Sequence, residues 1–149
     1  MSIFSVVEMG TNEGMWLMYR EDMDTYFLFY STSLFELPSY RMMVARSDNI
    51  MGPYVKGEVP VVETDWERYD NGLNSTFEGP GHGSVLVDND GDWWLIYHSW
   101  RYGKLLREPG RVMLLDRIEW HADNNTDQLW PRVGSNGVPS DFDTDGPAL

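Results

Sequence analysis

The chain has 149 residues, 11 Lys and Arg against 24 Asp and Glu (net charge −13), and no cysteine. Its 7 Trp, 8 Tyr and 6 Phe make up 14% of the residues within an apolar share of 42%, enough to bury the core of one domain. The acidic balance excludes nucleic acid and anionic membrane surfaces as partners, and the lack of Cys excludes a disulfide framework and a thiolate metal site. No apolar run approaches the ~18 residues of a bilayer-spanning helix. Met1 to Met9 lacks the basic start of a signal peptide, so an export signal would lie upstream and the compartment stays open. An aromatic-rich, acidic, soluble chain suits a neutral polyhydroxylated ligand, because aromatic rings pack on sugar faces.

The pattern is strand throughout. Trp16–Arg20 and Tyr26–Ser31 are short, bulky and aromatic, separated by a turn at Asp22-Met23-Asp24. Tyr40–Arg46 is a third run, closed by Ser47-Asp48-Asn49 and Gly52-Pro53. Residues 56 to 81 are polar and punctuated by glycine. Ser84–Val87 and Trp93–His98 then flank Asp88-Asn89-Asp90-Gly91-Asp92, whose Asp-Gly step marks a tight hairpin. Arg111–Asp116 follows, and then a separate short run at Ile118-Glu119-Trp120. Strands are expected near 15–20, 26–32, 40–46, 84–88, 93–98 and 111–116, with almost no helix, because no segment holds a 3.6-residue period for three turns.

Tyr26-Phe27-Leu28-Phe29-Tyr30 recurs in character 67 residues later as Trp93-Trp94-Leu95-Ile96-Tyr97, and Met42-Met43-Val44 recurs as Val112-Met113-Leu114. A repeated unit of antiparallel strands suggests propeller blades, and 149 residues hold about two of them. The expected fold class is therefore all-β, two four-stranded antiparallel blades of a propeller over residues 1–140, with an acidic tail at 141–149. Propellers close with about four to eight blades, so two blades leave faces and edges open to self-association.

Three positions carry chemistry. Glu13-Gly14 enters the first strand, where a carboxyl held protonated can deliver a proton to a glycosidic oxygen; a Glu beside Gly is also what a solvated turn looks like. Gly79-Pro80-Gly81-His82-Gly83-Ser84 frames His82 with three glycines, suiting metal ligation, acid–base work or a sugar contact, or simply a loop with a surface His. Arg111 opens a strand and offers a fork of donors to hydroxyls or a carboxylate, or to one of the chain's many acids. His98, inside a strand, reads as a packed residue, and His121 reads as loop. The Asp88–Asp92 segment begins like a calcium loop, but Ser99 stands where a bidentate Glu is needed, so a hairpin turn is preferred. Asn74-Ser75-Thr76 and Asn124-Asn125-Thr126 fit the short glycosylation sequon.

Taken in order, Glu13–Trp16, Tyr26–Ser31, Val44–Ser47 through Met51–Tyr54, Gly79–Val85, Trp93–His98, Gly110–Asp116, Trp130-Pro131 and Gly137–Ser140 resemble glycoside hydrolase family 43. These are five-bladed propeller enzymes acting on arabinan and xylan, and the resemblance covers roughly residues 8 to 140. It implies that Glu13 is the general acid, although Met15 stands where the family usually has Pro. Glu8 is a second candidate with a spacing five residues too long. It implies that His82 is the axial histidine that helps hold calcium or another ion, with no organic cofactor, and that Arg111, together with Trp16 of the Glu-Gly motif, faces a plant cell-wall type polysaccharide or oligosaccharide. The family's base and pKa-tuning Asp residues would lie upstream of Met1, so the resemblance implies the C-terminal portion of an inverting hydrolase. The alternative is a non-catalytic carbohydrate-binding or structural remnant of such a propeller.

Overall fold

The computed structural model describes residues 11–73, 76–123, 126–141 and 146–148. Glu8, the Met1–Met9 start, the Asn of both sequons and the centre of the acidic tail lie outside the described residues. Among the described residues, eight strands form two four-stranded antiparallel sheets. The first holds β1 (Asn12–Arg20), β2 (Thr25–Thr32), β3 (Arg41–Ser47) and β4 (Val55–Lys56), and the second holds β5 (Phe77–Val87), β6 (Trp93–Arg101), β7 (Arg111–Ala122) and β8 (Leu129–Val133), each in sequential order. Both are meanders, which is the up-and-down topology of a propeller blade.

The two hairpins at the heart of the sheets form for local reasons. Between β1 and β2 a single turn of 3-10 helix ends at Asp24, whose φ of 47° is left-handed. Between β5 and β6, Asp88 accepts from the backbone N–H groups of Asp90 and Asp92 and from the indole of Trp94, while Gly91 takes a φ of 85°. Burial works against the Asp88 carboxylate, yet these donors outweigh it and hold the group below its usual range. The segment is a hairpin turn, as its sequence suggests.

The sheets stack through one apolar layer. Phe27, Phe29, Met42 and Val44 from the first meet Val85, Leu95, Tyr97 and Ile118 from the second, with Trp93 and Trp120 edge-on to Phe27. Each fully buried aromatic or aliphatic side chain contributes roughly 1.5–3 kcal/mol relative to exposure, so this seam is the main source of stability.

Two sequence expectations change, at 79–84 and at His121, and two elements are added to the reading. The glycine-framed segment at 79–84 is strand, not loop: β5 starts at Phe77 and absorbs the glycines through two irregularities in its pairing with β6. His121 likewise lies on a strand, because β7 runs unbroken to Ala122 and takes in Ile118-Glu119-Trp120. Strands β4 and β8, short sheet edges, have no alternating signal of their own. A five-residue helix, α1 (Trp66–Asp70), is started by the Asp65 carboxylate accepting from the Arg68 N–H at 3.0 Å.

Candidate active site

Glu13 sits at the start of β1, opposite Ser31 of β2, immediately before a pairing irregularity that ends at Trp16. Gly14 follows with a φ of 59°, and a Cβ there would stand 3.2 Å from the His82 ring. The glycine of the Glu-Gly pair takes that torsion without strain and leaves the imidazole its seat. One carboxylate oxygen of Glu13, Oε1, accepts a 2.5 Å hydrogen bond from the Tyr40 hydroxyl, and His82 Nδ1 lies 3.6 Å from the same oxygen. The Glu13 side chain keeps 39% of its surface open. It is anchored on one side and accessible on the other.

His82 itself is in the left-handed region, with a φ of 53°. Its backbone N–H donates to the buried Ser31 hydroxyl at 2.7 Å, the contact that holds this conformation. Its ring stacks on His98, 6.0 Å between centroids. His98 also lies parallel to Tyr40, 6.1 Å between centroids at an interplanar angle of 4°. Arg111, the first residue of β7, reaches back so that Nη1 is 2.8 Å from His98 Nε2. A guanidinium has no acceptor, so Nε2 accepts and the neutral imidazole carries its proton on Nδ1. Burial, then the charge of Arg111, then His82 push the His98 pKa down to about 4, which keeps the ring neutral at physiological pH. The Arg111 guanidinium also lies over the rings of Phe35 and Trp100, 5.2 and 5.9 Å from their centroids.

Three of the four sequence candidates, Glu13, His82 and Arg111, therefore belong to one cluster linked by Tyr40 and His98. Trp16 is placed differently: its indole N–H donates to the Val85 carbonyl at 3.0 Å, joining β1 to β5, and its ring stays partly open. Tyr40 and Phe35 were not singled out in the sequence. Tyr40 read as the apolar start of a strand, and the only hint of its role was the glycine at 81, where a Cβ would fall 2.2 Å from the Tyr40 ring. A second Glu-Gly pair, Glu78-Gly79, is separated from the first by burial. Glu78 is enclosed, its pKa raised by burial against the opposing backbone N–H groups of Gly103, Leu105 and Lys104, and it accepts from Gly103 at 3.0 Å. It ties down the loop that leads to Arg111 and is closed to any substrate.

An ion at His82 finds little support from the chain's own residues. Calcium takes about six to eight oxygen ligands, whereas His82 offers nitrogen and points it at Glu13. Among the described residues no group of three or more His, Asp or Glu converges to hold a metal. A cavity of about 730 Å³ lies elsewhere, lined by Asp65, Asp88, Trp94, Asp116 and Asp141 among others and by none of the cluster residues.

The pair of stacked four-stranded meanders, with a half-exposed carboxylate, an imidazole and a guanidinium gathered at their seam, has the blade architecture of a β-propeller. The model of glycosyl hydrolases family 43 matches residues 2–126, and the chain belongs to that family. It is 31% identical over 101 residues to the non-reducing end α-L-arabinofuranosidase BoGH43B of Bacteroides ovatus, and 29% identical over 122 residues to a putative β-xylosidase of Escherichia coli. Those alignments take in 66% and 74% of this chain but only 17% and 21% of the relatives. Among solved structures, a thermostable family-43 glycoside hydrolase superposes with a TM-score of 0.71 at 24% identity, covering 98% of this chain and 43% of that one. An α-L-arabinanase of Cellvibrio cellulosa, solved with arabinohexaose, gives 0.55 at 22% identity over 82% of this chain and 36% of that one. The two sheets are two blades of a five-bladed propeller.

Proposed function

We propose that these blades supply the acid half of an inverting glycoside hydrolase that cleaves arabinan- or xylan-type side chains and oligosaccharides. The observation that carries this is Glu13: a carboxyl anchored through Oε1 by a buried tyrosine, with its remaining surface open beside His82. An inverting reaction needs a second carboxyl about 6.5–9.5 Å away to activate water. In this reading that base comes from a part of the propeller beyond these two blades. Glu13 protonates the leaving oxygen, Arg111 binds sugar hydroxyls with the donors left over from its bond to His98, and His82 acts on Glu13 by facing its anchored oxygen. The names of the relatives, an arabinofuranosidase and a xylosidase, support the substrate class.

The test is leaving-group dependence in the complete protein that carries these residues. Glu13→Gln should lower turnover of natural disaccharides by about 10²–10⁴-fold, the usual range for a general acid. Aryl glycosides with acidic phenols should be largely spared, because their leaving groups need no proton in the transition state. Equal loss on both substrates would remove Glu13 from the acid role. The 149-residue chain alone should show no turnover; activity there would mean that a local carboxylate serves as base.

A further inference from the structure

A directed series of hydrogen bonds ends on Glu13. It starts at the backbone N–H of His82, which can only donate, and which bonds the Ser31 hydroxyl at 2.7 Å. The Ser31 hydroxyl in turn bonds the phenol oxygen of Tyr40, and Tyr40 gives its own proton to Glu13 Oε1 at 2.5 Å. Ser31 and Tyr40 are both fully buried. Such a series is cooperative, each donor polarising the next, and its sense is set by the amide at its head. Tyr40 is also sterically committed. Its ring fills the space left by the missing side chain of Gly81 and runs parallel to the His98 ring.

From this geometry we infer that Tyr40 is the positioning residue of the acid, occupying Oε1 as an acceptor so that the transferable proton resides on Oε2. The inference rests on Glu13 being the proton donor. A carboxyl that rotates freely presents either oxygen to the leaving group and spends much of its time with the proton turned away. One held through Oε1 presents a single, protonated oxygen. Displacing a reacting group by about 1 Å costs on the order of 10²-fold in rate, so an anchor of this kind belongs to the chemical step rather than to substrate binding.

The experiment compares Glu13→Gln, Tyr40→Phe, Ser31→Ala and the Glu13→Gln/Tyr40→Phe double variant in the complete protein. The substrates are xylobiose or arabinobiose and the matching p-nitrophenyl glycosides. Tyr40→Phe should lower kcat on the disaccharide by roughly 10–10²-fold with KM held within about twofold, while the aryl glycoside loses less than about threefold. The double variant should be no slower than Glu13→Gln. Ser31→Ala, which keeps the ring in place, should show the same selectivity at smaller size, and it decides the matter if Tyr40→Phe does not fold. Selective loss in Glu13→Gln without selective loss in Tyr40→Phe or Ser31→Ala overturns the positioning role and leaves the acid standing. Equal loss on both substrates in Glu13→Gln overturns both.

Discussion

The two blades carry the same register, and comparing equivalent positions separates what a side chain is from what its neighbours make of it. In the first blade Met42 lies opposite Ser31, and in the second Met113 lies opposite His98, so strand pairing matches Met42 to Met113, one residue off the match of Met42 to Val112 expected from the sequence. Ser31 and His98 are themselves equivalent, facing Glu13 and Gly81. Met42 is fully buried and Met113 is 79% exposed; their neighbours Val44 and Leu115 are 1% and 39% exposed. Conversely, Val85 is buried at 3% where its first-blade counterpart Leu17 is 41% exposed. Each blade is apolar on both faces: the face turned to the other blade forms the main core, while the first blade's outward face buries only a smaller cluster of Tyr30, Met43 and Ala45 and leaves Leu17 open. At Leu17, Met113 and Leu115 the outward faces have the composition of a core without its burial, which is how a repeat that stacks on both sides must be built.

The same comparison locates the chemistry. Glu13, Ser31 and Tyr40 of the first blade correspond to Gly81, His98 and Arg111 of the second, Tyr40 standing one residue before β3 where Arg111 opens β7. One architectural slot thus holds an acid with its hydroxyl anchors in one blade and an imidazole–guanidinium pair in the other. The glycine of the second blade is what lets the tyrosine of the first reach its carboxylate.

The largest effect expected from this comparison is at the face turned to the other blade. Met42→Ala should destabilise the fold by about 2–5 kcal/mol, the usual range for truncating a buried methionine, read as a shift in the denaturant midpoint at unchanged slope. Next comes Gly81→Ala. Its new Cβ would sit 2.2 Å from Tyr40, so the ring must move, at a cost of about 1–3 kcal/mol by overpacking. At Gly91, where nothing lies within 4 Å, the same change meets open space, and only its φ of 85° opposes it. A Gly81→Ala variant as stable as Gly91→Ala would mean that the tyrosine seat is loose.

How much of this was legible in the sequence follows from which forces act locally. The six central strands, the Asp-Gly hairpin and the 67-residue repeat are written in side-chain alternation and turn chemistry, which act within a few residues. Glu13, His82 and Arg111 were legible through their glycine neighbours and the family pattern. Tyr40, Phe35 and the role of His98 were not. Their significance lies in contacts across 13 to 76 residues, such as Tyr40 with Glu13 and Arg111 with Phe35, and an aromatic residue in a strand looks the same whether it packs or positions. Nor did the glycine-framed segment read as strand, because irregular pairing, not propensity, lets β5 pass through three glycines.

His98 gives the comparison a pH dependence. A histidine has a pKa near 6.5 unfolded, whereas here burial and Arg111 bring it to about 4. Between these values the unfolded chain binds more protons than the folded one, so stability rises with pH across the window. The contribution of a neutral His98 is complete above about pH 6.5 and is lost as pH falls towards 4. The groups facing it are Arg111, His82, Tyr40 and Glu13. His98→Gln, which keeps an acceptor for Arg111 but does not titrate, should flatten the stability profile between pH 4 and 6.5. An unchanged slope would show that the ring is not desolvated by this cluster.

The smallest effect is the one that most sharpens the contrast between faces. Met113→Ala in the 149-residue chain should change stability by no more than about 0.5 kcal/mol, as at any open surface position, although the residue type and register match those of Met42. Because the outward face is apolar, it should bind hydrophobic dyes and promote self-association. Met113→Lys should lower both without altering the melting transition. In a protein where a further blade covers this face, Met113→Ala should instead approach the cost of Met42→Ala. The two measurements together determine whether the second blade's outward face is a surface or a core awaiting its neighbour: equal small costs in both contexts would make it a surface, and the repeat would then describe strand order without describing stacking.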